Sequence, residues 1–220
     1  MVRQARSEAT RQKIIAAAVE LFSETGYADA GLGDIIEGAE LTKGALYYHF
    51  DSKDALAAAV IEEGGAAVLR AFEGGGESPA PALENMIHCV FDAAELMADN
   101  KVARTAIQLV RAVCEFNQAA SRMFGAWLRA MTAHARQASA EGDLRPSLDP
   151  NSVGETIFAA VFGAELMSSA ISDGDNLTQR LTKAWQLLLP AITNDDSLPY
   201  FREFLARESL RRFEPTLSIE

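Results

Sequence analysis

Apolar residues recur at helical spacing along almost the whole chain. The segment 7–25 places Ile14, Ala18 and Leu21 on one face, and Gly26 follows as a stop signal. Strand signals are almost absent, because there is no long alternating segment and no Asn-Gly hairpin turn. The pattern therefore predicts an all-α protein. Further helices are expected over 32–39, 42–50, 52–72, 83–98, 102–113, 119–140, 152–171, 177–192 and 198–213, with a break or kink at Pro190.

Composition and charge narrow the class of protein. With 49% hydrophobic residues the chain can form a core, while no apolar run reaches the length expected of a membrane span and the charged N-terminus does not resemble a secretory signal. Cys89 and Cys114 lack metal or redox spacing and are expected as reduced thiols, so a cytoplasmic location is predicted. A net charge of −11 argues against general binding of polyanions, but the first 13 residues are basic.

The stretch LTKGALYYHF at 41–50 concentrates polar tips on one short helix. It follows helix 32–39 after only a few residues, which is the spacing of a helix-turn-helix whose second helix enters the DNA major groove. A core helix is the alternative, since one of two adjacent aromatic residues normally packs inward, as Phe50 is expected to do. The spacing alone leaves both interpretations open. The candidate DNA contacts are Thr42, which is also the expected N-cap, Lys43, Gly44, Tyr47, Tyr48, His49 and Lys53.

The segment LTKGALYYHFDSKDAL resembles the signature of the tetracycline-repressor (TetR) family. That signature reads Ser/Thr-Lys-Gly-x-Leu-Tyr-x-His-Phe-x-x-Lys and is matched almost without interruption from Thr42 to Lys53. The resemblance implies that the residues named above contact DNA. The preceding helix departs from the family pattern, because Ala30, Gly31 and Gly33 stand where Thr or Ser followed by Arg is usual. Glu40 stands at the turn where Gly is usual.

The second half of the chain is similar to one branch of that family, the γ-butyrolactone autoregulator receptors. The similar segments are 126–150, 157–170 and 184–192. The resemblance implies that Trp127 lies on the wall of a ligand pocket, although a buried tryptophan is also an ordinary core residue. Phe162 stands where the branch often has Thr, which favours a more apolar ligand. The other candidate pocket residues are Thr105 and Gln108 as polar contacts and Val113 and Met131 as apolar ones.

The two resemblances predict a division of the chain by function. Residues 1–54 would form the helix-turn-helix DNA-binding domain with the start of a connecting helix, and residues 55–220 the bundle for ligand binding and dimerisation. The segment GGGESPAP at 74–81 is the clearest break, and a junction is expected at or just before it. The helices 152–171 and 177–192 carry small and apolar residues on too many faces for one core, so a homodimer is expected through Ala159, Ala160, Gly163, Ala164, Leu181, Trp185 and Leu188.

Other classes of function lack support in the sequence. The three histidines have no metal spacing, GLGDIIEG is not a dinucleotide fingerprint, and there is no GxSxG nucleophile motif, so no metal, no cofactor and no enzymatic activity are expected. A helical ligand carrier that does not bind DNA is a further alternative. The prediction is a repressor that binds double-stranded operator DNA and is released by a small-molecule effector, either a γ-butyrolactone-type signal or an antibiotic or other toxic apolar compound.

Overall fold

A computed structural model of the chain describes residues 2–74, 80–172 and 176–213. Over these residues it has ten helices and no strand, which confirms the all-α prediction. Segment 75–79 of the predicted junction lies outside the described residues. The helices are α1 Val2–Asp29, α2 Leu32–Gly38, α3 Lys43–His49, α4 Lys53–Glu73, α5 Ala82–Asp99, α6 Lys101–Val113, α7 Gln118–Glu141, α8 Pro150–Ser172, α9 Leu177–Ile192 and α10 Leu198–Phe213.

Most helix boundaries lie within two residues of those predicted, and the exceptions have local causes. Helix α1 begins five residues earlier than expected. Gly26, with a φ of 79° and a ψ of 169°, interrupts the helical geometry as the predicted stop signal, and a short helical turn continues the segment to Asp29. Helix α9 has the predicted bounds and continues through Pro190 without a break. Pro190 has no amide hydrogen to donate to the Gln186 carbonyl, so α9 continues to its end with one intrahelical hydrogen bond fewer.

The chain divides into two compact units. The first comprises residues 1–68 and 96–126, so it contains α1, α2, α3 and α6 together with parts of α4, α5 and α7. Its core includes Ile14, Ile35 and Leu46, which are fully buried and come from α1, α2 and α3 respectively. Helices α4 and α6 approach closely at Gly64, where an added Cβ would lie 2.3 Å from the carbonyl oxygen of Val102. Helices α1, α2 and α3 therefore share one core, and α1 also packs on α6 within the same unit.

The second unit comprises residues 69–95 and 127–220, in which α8, α9 and α10 pack in series. Helix α10 is fastened to α5 by a charged cluster centred on Arg212, whose guanidinium contacts Asp92 and Glu95 at 2.6 Å each and also Glu208. His88 lies 2.9 Å from the same Glu208 carboxylate. Burial works against ionisation of Glu208, but hydrogen bonds from His88 and Arg212 hold its pKa below the usual range.

Helix α8 differs from the sequence expectation about membrane spans. Its segment Pro150–Ile171 is long and apolar enough to cross a membrane, judged by length and composition alone. One face of it packs inside the second unit, where a Cβ added at Gly154 would lie 2.7 Å from Cα of Thr132 on α7. The apolar residues of α8 are therefore distributed between a face that packs inside the second unit and a face that points outwards.

Candidate DNA interface and ligand site

The turn between α2 and α3 sets the direction of the candidate reading helix. Glu40 adopts a φ of 51°, a left-handed conformation that favours glycine, at the position where the family signature has Gly. The Leu41 amide donates to the Ile36 carbonyl at 3.2 Å, which closes the turn. The Glu40 carboxylate accepts a hydrogen bond of 3.1 Å from Lys13 on α1. The turn is therefore bonded to α1 and to α2.

Helix α3 presents its polar tips outwards. Thr42 is the N-cap, as predicted, because its hydroxyl accepts a hydrogen bond of 3.2 Å from the Ala45 amide. Leu46 and Phe50 are buried and hold the helix to the core, whereas Tyr47 is 45% exposed and Tyr48 77% exposed. The core interpretation therefore applies to Phe50 and not to the two tyrosines.

The exposed face of α3 combines a lysine ammonium with aromatic rings. The Lys43 ammonium lies 5.7 Å from the centroid of the Tyr47 ring, and the rings of Tyr48 and His49 meet edge to face at 5.0 Å. Gly44 is exposed, and a Cβ added there would meet no atom of the chain within 4 Å. The protein itself therefore does not require glycine at position 44. Each of these groups is free to face an external partner.

Lys53 has a different environment from the other candidate contacts. Its ammonium donates to three carbonyl oxygens, those of Tyr27 at 2.7 Å, Ala28 at 3.1 Å and Ala30 at 3.0 Å. The carbonyls of Tyr27 and Ala28 lie in the last turn of α1, where a helix leaves acceptors without intrahelical partners, and Ala30 follows that helix directly. A lysine ammonium has three donors, so all of them are used inside the protein. The geometry favours capping of α1 by Lys53 over the phosphate contact expected from the sequence.

Two residues outside the predicted site complete this arrangement. The Tyr27 hydroxyl donates to the Asp54 carboxylate, and the Lys53 ammonium lies 4.6 Å from the centroid of the Tyr27 ring. Burial, followed by the hydrogen bond to Asp54, raises the pKa of Tyr27 to about 12. A long-range contact over 27 residues leaves no periodic signal that could reveal it.

Trp127 belongs to a chain of aromatic contacts inside the second unit. It is fully buried, and its ring lies 6.0 Å from that of Phe162, which lies 5.1 Å from Phe158. Phe158 in turn meets Phe72, near the end of α4, at 6.5 Å. The His134 ring lies 2.8 Å from the Phe72 carbonyl oxygen through Nε2. The structure thus brings Trp127 and Phe162 together, and Met131 is buried on the same helix as Trp127.

The other three predicted ligand residues lie on α6, in the first unit. Thr105 and Val113 are fully buried, while Gln108 is partly exposed. The Thr105 hydroxyl has no hydrogen-bond partner among the described residues. A buried hydroxyl without a partner costs free energy, which favours a ligand or a water molecule as its partner. Among the same residues, no group of three or more His, Cys, Asp or Glu side chains is placed to hold a metal ion.

Comparison with known proteins assigns the chain to a family. The family model for bacterial regulatory proteins of the tetR family matches residues 14–60, and the tetracyclin repressor-like C-terminal domain matches residues 80–193. The chain belongs to the TetR family. Regulators of this family are DNA-binding proteins without enzymatic activity that bind operator DNA as dimers, respond to small-molecule effectors and are in general soluble.

The relatives of this TetR-family chain include receptors for lactone signals. The A-factor receptor protein of Streptomyces griseus is 29% identical over 202 residues, covering 92% of this chain and 70% of that protein. The structure of a γ-butyrolactone receptor described as ArpA-like has a TM-score of 0.76 at 27% identity, covering 94% and 99% of the two chains. The structure of CprB from Streptomyces coelicolor with its operator sequence has a TM-score of 0.78 at 27% identity, covering 93% and 98%.

TetR-family dimerisation needs an apolar surface, and α8 and α9 carry one. On α8 an exposed or half-buried stripe at helical spacing consists of Ala159, Gly163, Leu166 and Ala170; on α9 a second stripe consists of Ala184, Leu187, Leu188 and Ala191. We call these two stripes the α8–α9 face. Ala164, Leu181 and Trp185, which were expected to pair with a second subunit, are instead buried inside the second unit. A count of apolar residues could not separate the inner side of α9 from the outer side.

Proposed function

We propose that this chain is a repressor that binds a pseudo-palindromic operator and leaves it when a small, largely apolar ligand of the γ-butyrolactone type binds. Membership of the TetR family supports the regulator, and the similarity to lactone receptors supports the class of ligand. The observation that carries the proposal is the exposed face of α3, where tyrosine, lysine and histidine tips converge over a buried apolar side. Action on DNA places the protein in the cytoplasm.

The DNA contacts in this proposal are made by α3. Lys43 and Tyr47 read base edges or nearby phosphates, Tyr48 and His49 contact the backbone, and Gly44 lets the helix approach closely. Thr42 caps the helix and keeps its first turn in place for the groove. In the dimer, two such helices reach half-sites about one helical turn apart, roughly 34–36 Å.

The ligand in this proposal packs against the aromatic contacts of the second unit. Trp127 and Phe162 supply flat apolar walls, and Met131 supplies a flexible one. Because Phe158 links Phe162 to Phe72, a ligand that displaces these rings moves the carboxyl end of α4. The amino end of the same helix carries Lys53 in the DNA-binding half. Ligand and operator then oppose each other, and linkage requires each to weaken the other by the same factor, about 5–150-fold.

The two tryptophans provide a matched experiment. Trp127 and Trp185 are the only tryptophans in the sequence, both are buried, and only Trp127 belongs to the aromatic contacts with Phe162. In the Trp185→Phe variant, titration with a γ-butyrolactone that carries an alkyl chain should change the emission of Trp127 and release bound operator. The Trp127→Phe variant should keep dimerisation and operator binding but lose release by the lactone. Normal release by Trp127→Phe would return this residue to an ordinary core role.

A sensor of antibiotics or other toxic apolar compounds is the second candidate. It is favoured by Phe162, which stands where lactone receptors often have Thr, so that the wall beside Trp127 consists of aromatic rings. The same Trp185→Phe variant separates the two candidates when it is titrated in parallel with the alkyl lactone and with tetracycline. Release of operator by the lactone alone supports the signal receptor, whereas release by tetracycline alone supports the toxic-compound sensor.

A further inference from the structure

We propose that Lys53 is a positioning residue, which sets the orientation of the helix-turn-helix without contacting DNA. The inference rests on the proposed operator binding. Its basis is the Tyr27 clasp, by which we mean Tyr27, Lys53 and Asp54, all of them in the first unit. Lys53 binds the carbonyl of Tyr27 in the last turn of α1 and that of Ala30, which directly precedes Gly31, the N-cap of α2. The first turn of α4 therefore holds both the end of α1 and the entry into α2.

The clasp has the strength that positioning requires. The hydrogen bonds of an ammonium to carbonyl oxygens are charge-assisted, which makes them stronger than bonds between neutral groups. The Tyr27 ring packs against the Lys53 ammonium, and the Tyr27 hydroxyl donates a hydrogen bond to Asp54. One residue of α1 therefore contacts two adjacent residues of α4. Asn117, at the start of α7, adds a hydrogen bond of 3.4 Å to the Asp54 carbonyl while it caps its own helix. A phosphate could reach the ammonium only by displacing one of the three carbonyls.

A comparison of two lysines tests the proposal. Lys43 and Lys53 belong to the same signature, but the Lys43 side chain is exposed. Its ammonium faces the Tyr47 ring and makes no hydrogen bond or ion pair with the described residues. Operator duplexes selected from a random library by the unaltered protein serve as the probe. Lys43→Met should lower the slope of log affinity against log salt by about one without changing the melting temperature. Lys53→Met should leave that slope unchanged.

The melting temperature and operator affinity of Lys53→Met distinguish a residue that positions the helix-turn-helix from one that only stabilises the fold. The melting temperature should fall by about 4 °C or more, and operator affinity, measured well below melting, should fall by about tenfold because base contacts depend on sub-ångström placement. Lys53→Arg should not restore affinity, since a planar guanidinium cannot replace a compact ammonium among three converging carbonyls. Full rescue by arginine, or a slope lowered by one with unchanged melting, would assign Lys53 to a phosphate. Lower melting with unchanged operator affinity would reduce it to a stabilising residue.

Amide hydrogen exchange tests the role of the Tyr27 clasp independently of operator binding. If the unaltered protein selects no duplex, the operator proposal fails, but Lys53→Met must still accelerate exchange at Ile35 on α2 more than at Ile107 on α6. Both amides belong to buried residues of the first unit, so they are matched in environment. Equal acceleration at the two positions would show that Lys53 does not hold the entry into α2, and the inference would be overturned.

Discussion

Helix α3 and the α8–α9 face both expose large apolar side chains, but the chemistry of the two surfaces differs. On α3 the exposed rings of Tyr47 and Tyr48 end in hydroxyl groups beside a lysine and a histidine. On the α8–α9 face the exposed groups are aliphatic, with Leu187 78% exposed and Gly163 open to added atoms. Polar-tipped rings suit a wet, charged partner such as DNA, whereas aliphatic stripes suit a second protein surface. Exposed apolar area alone therefore does not name the partner.

The largest expected effect comes from charging the α8–α9 face. Leu187→Arg places two like charges in the dimer interface, which should yield monomers at micromolar concentration by light scattering. Operator affinity should then fall by at least about a hundredfold, because the second half-site contact loses its high effective concentration. Leu210→Arg is the control, since Leu210 is 64% exposed on α10 and lies outside the face. Equal effects of the two substitutions would show that the α8–α9 face is not the interface.

Truncation on α3 should act on DNA and leave assembly intact. Lys43→Ala and Tyr47→Ala should each reduce operator affinity by about 1–3 kcal/mol, because each removes a contact to a base edge or its phosphate. Both side chains are exposed, so the melting temperature should change little. The measurement is an electrophoretic or fluorescence titration with a selected operator duplex at physiological salt. Full operator affinity in both variants would remove α3 as the reading helix.

The contrast between the two surfaces also explains what the sequence predicted well. Thr42 and Phe50 act through local capping and helical periodicity, so their roles follow from neighbours within one turn. Lys53 and Tyr27 act across 26 residues, and no local rule distinguishes a lysine that caps a distant helix from one that awaits a phosphate. For the same reason the burial of Trp185 inside its own unit could not be separated from burial between subunits.

The glycine of the signature allows a sharper test of close approach. Gly44→Ala should stabilise the free protein slightly, because alanine favours a helix by about 1 kcal/mol and a Cβ there meets no atom of the chain. Operator affinity should nevertheless fall by about 1–2 kcal/mol if DNA occupies that space. Gly33→Ala on α2 is the matched control, since its Cβ also meets nothing within 4 Å. Unchanged affinity in Gly44→Ala would place the DNA away from the first turn of α3.

The smallest expected effect separates the rings of α3 from their hydroxyl groups. Tyr48→Phe removes one oxygen from a side chain that is 77% exposed, so the free protein should keep its melting temperature. If the hydroxyl donates to a phosphate, affinity for DNA should fall by about 0.5–1.5 kcal/mol. The loss should be the same for selected and unrelated duplexes, because phosphates are common to all sequences. A loss confined to the selected duplex would move Tyr48 to a base edge. No loss on either duplex would mean that the ring contributes by contact alone, as the side chains of the α8–α9 face are expected to do.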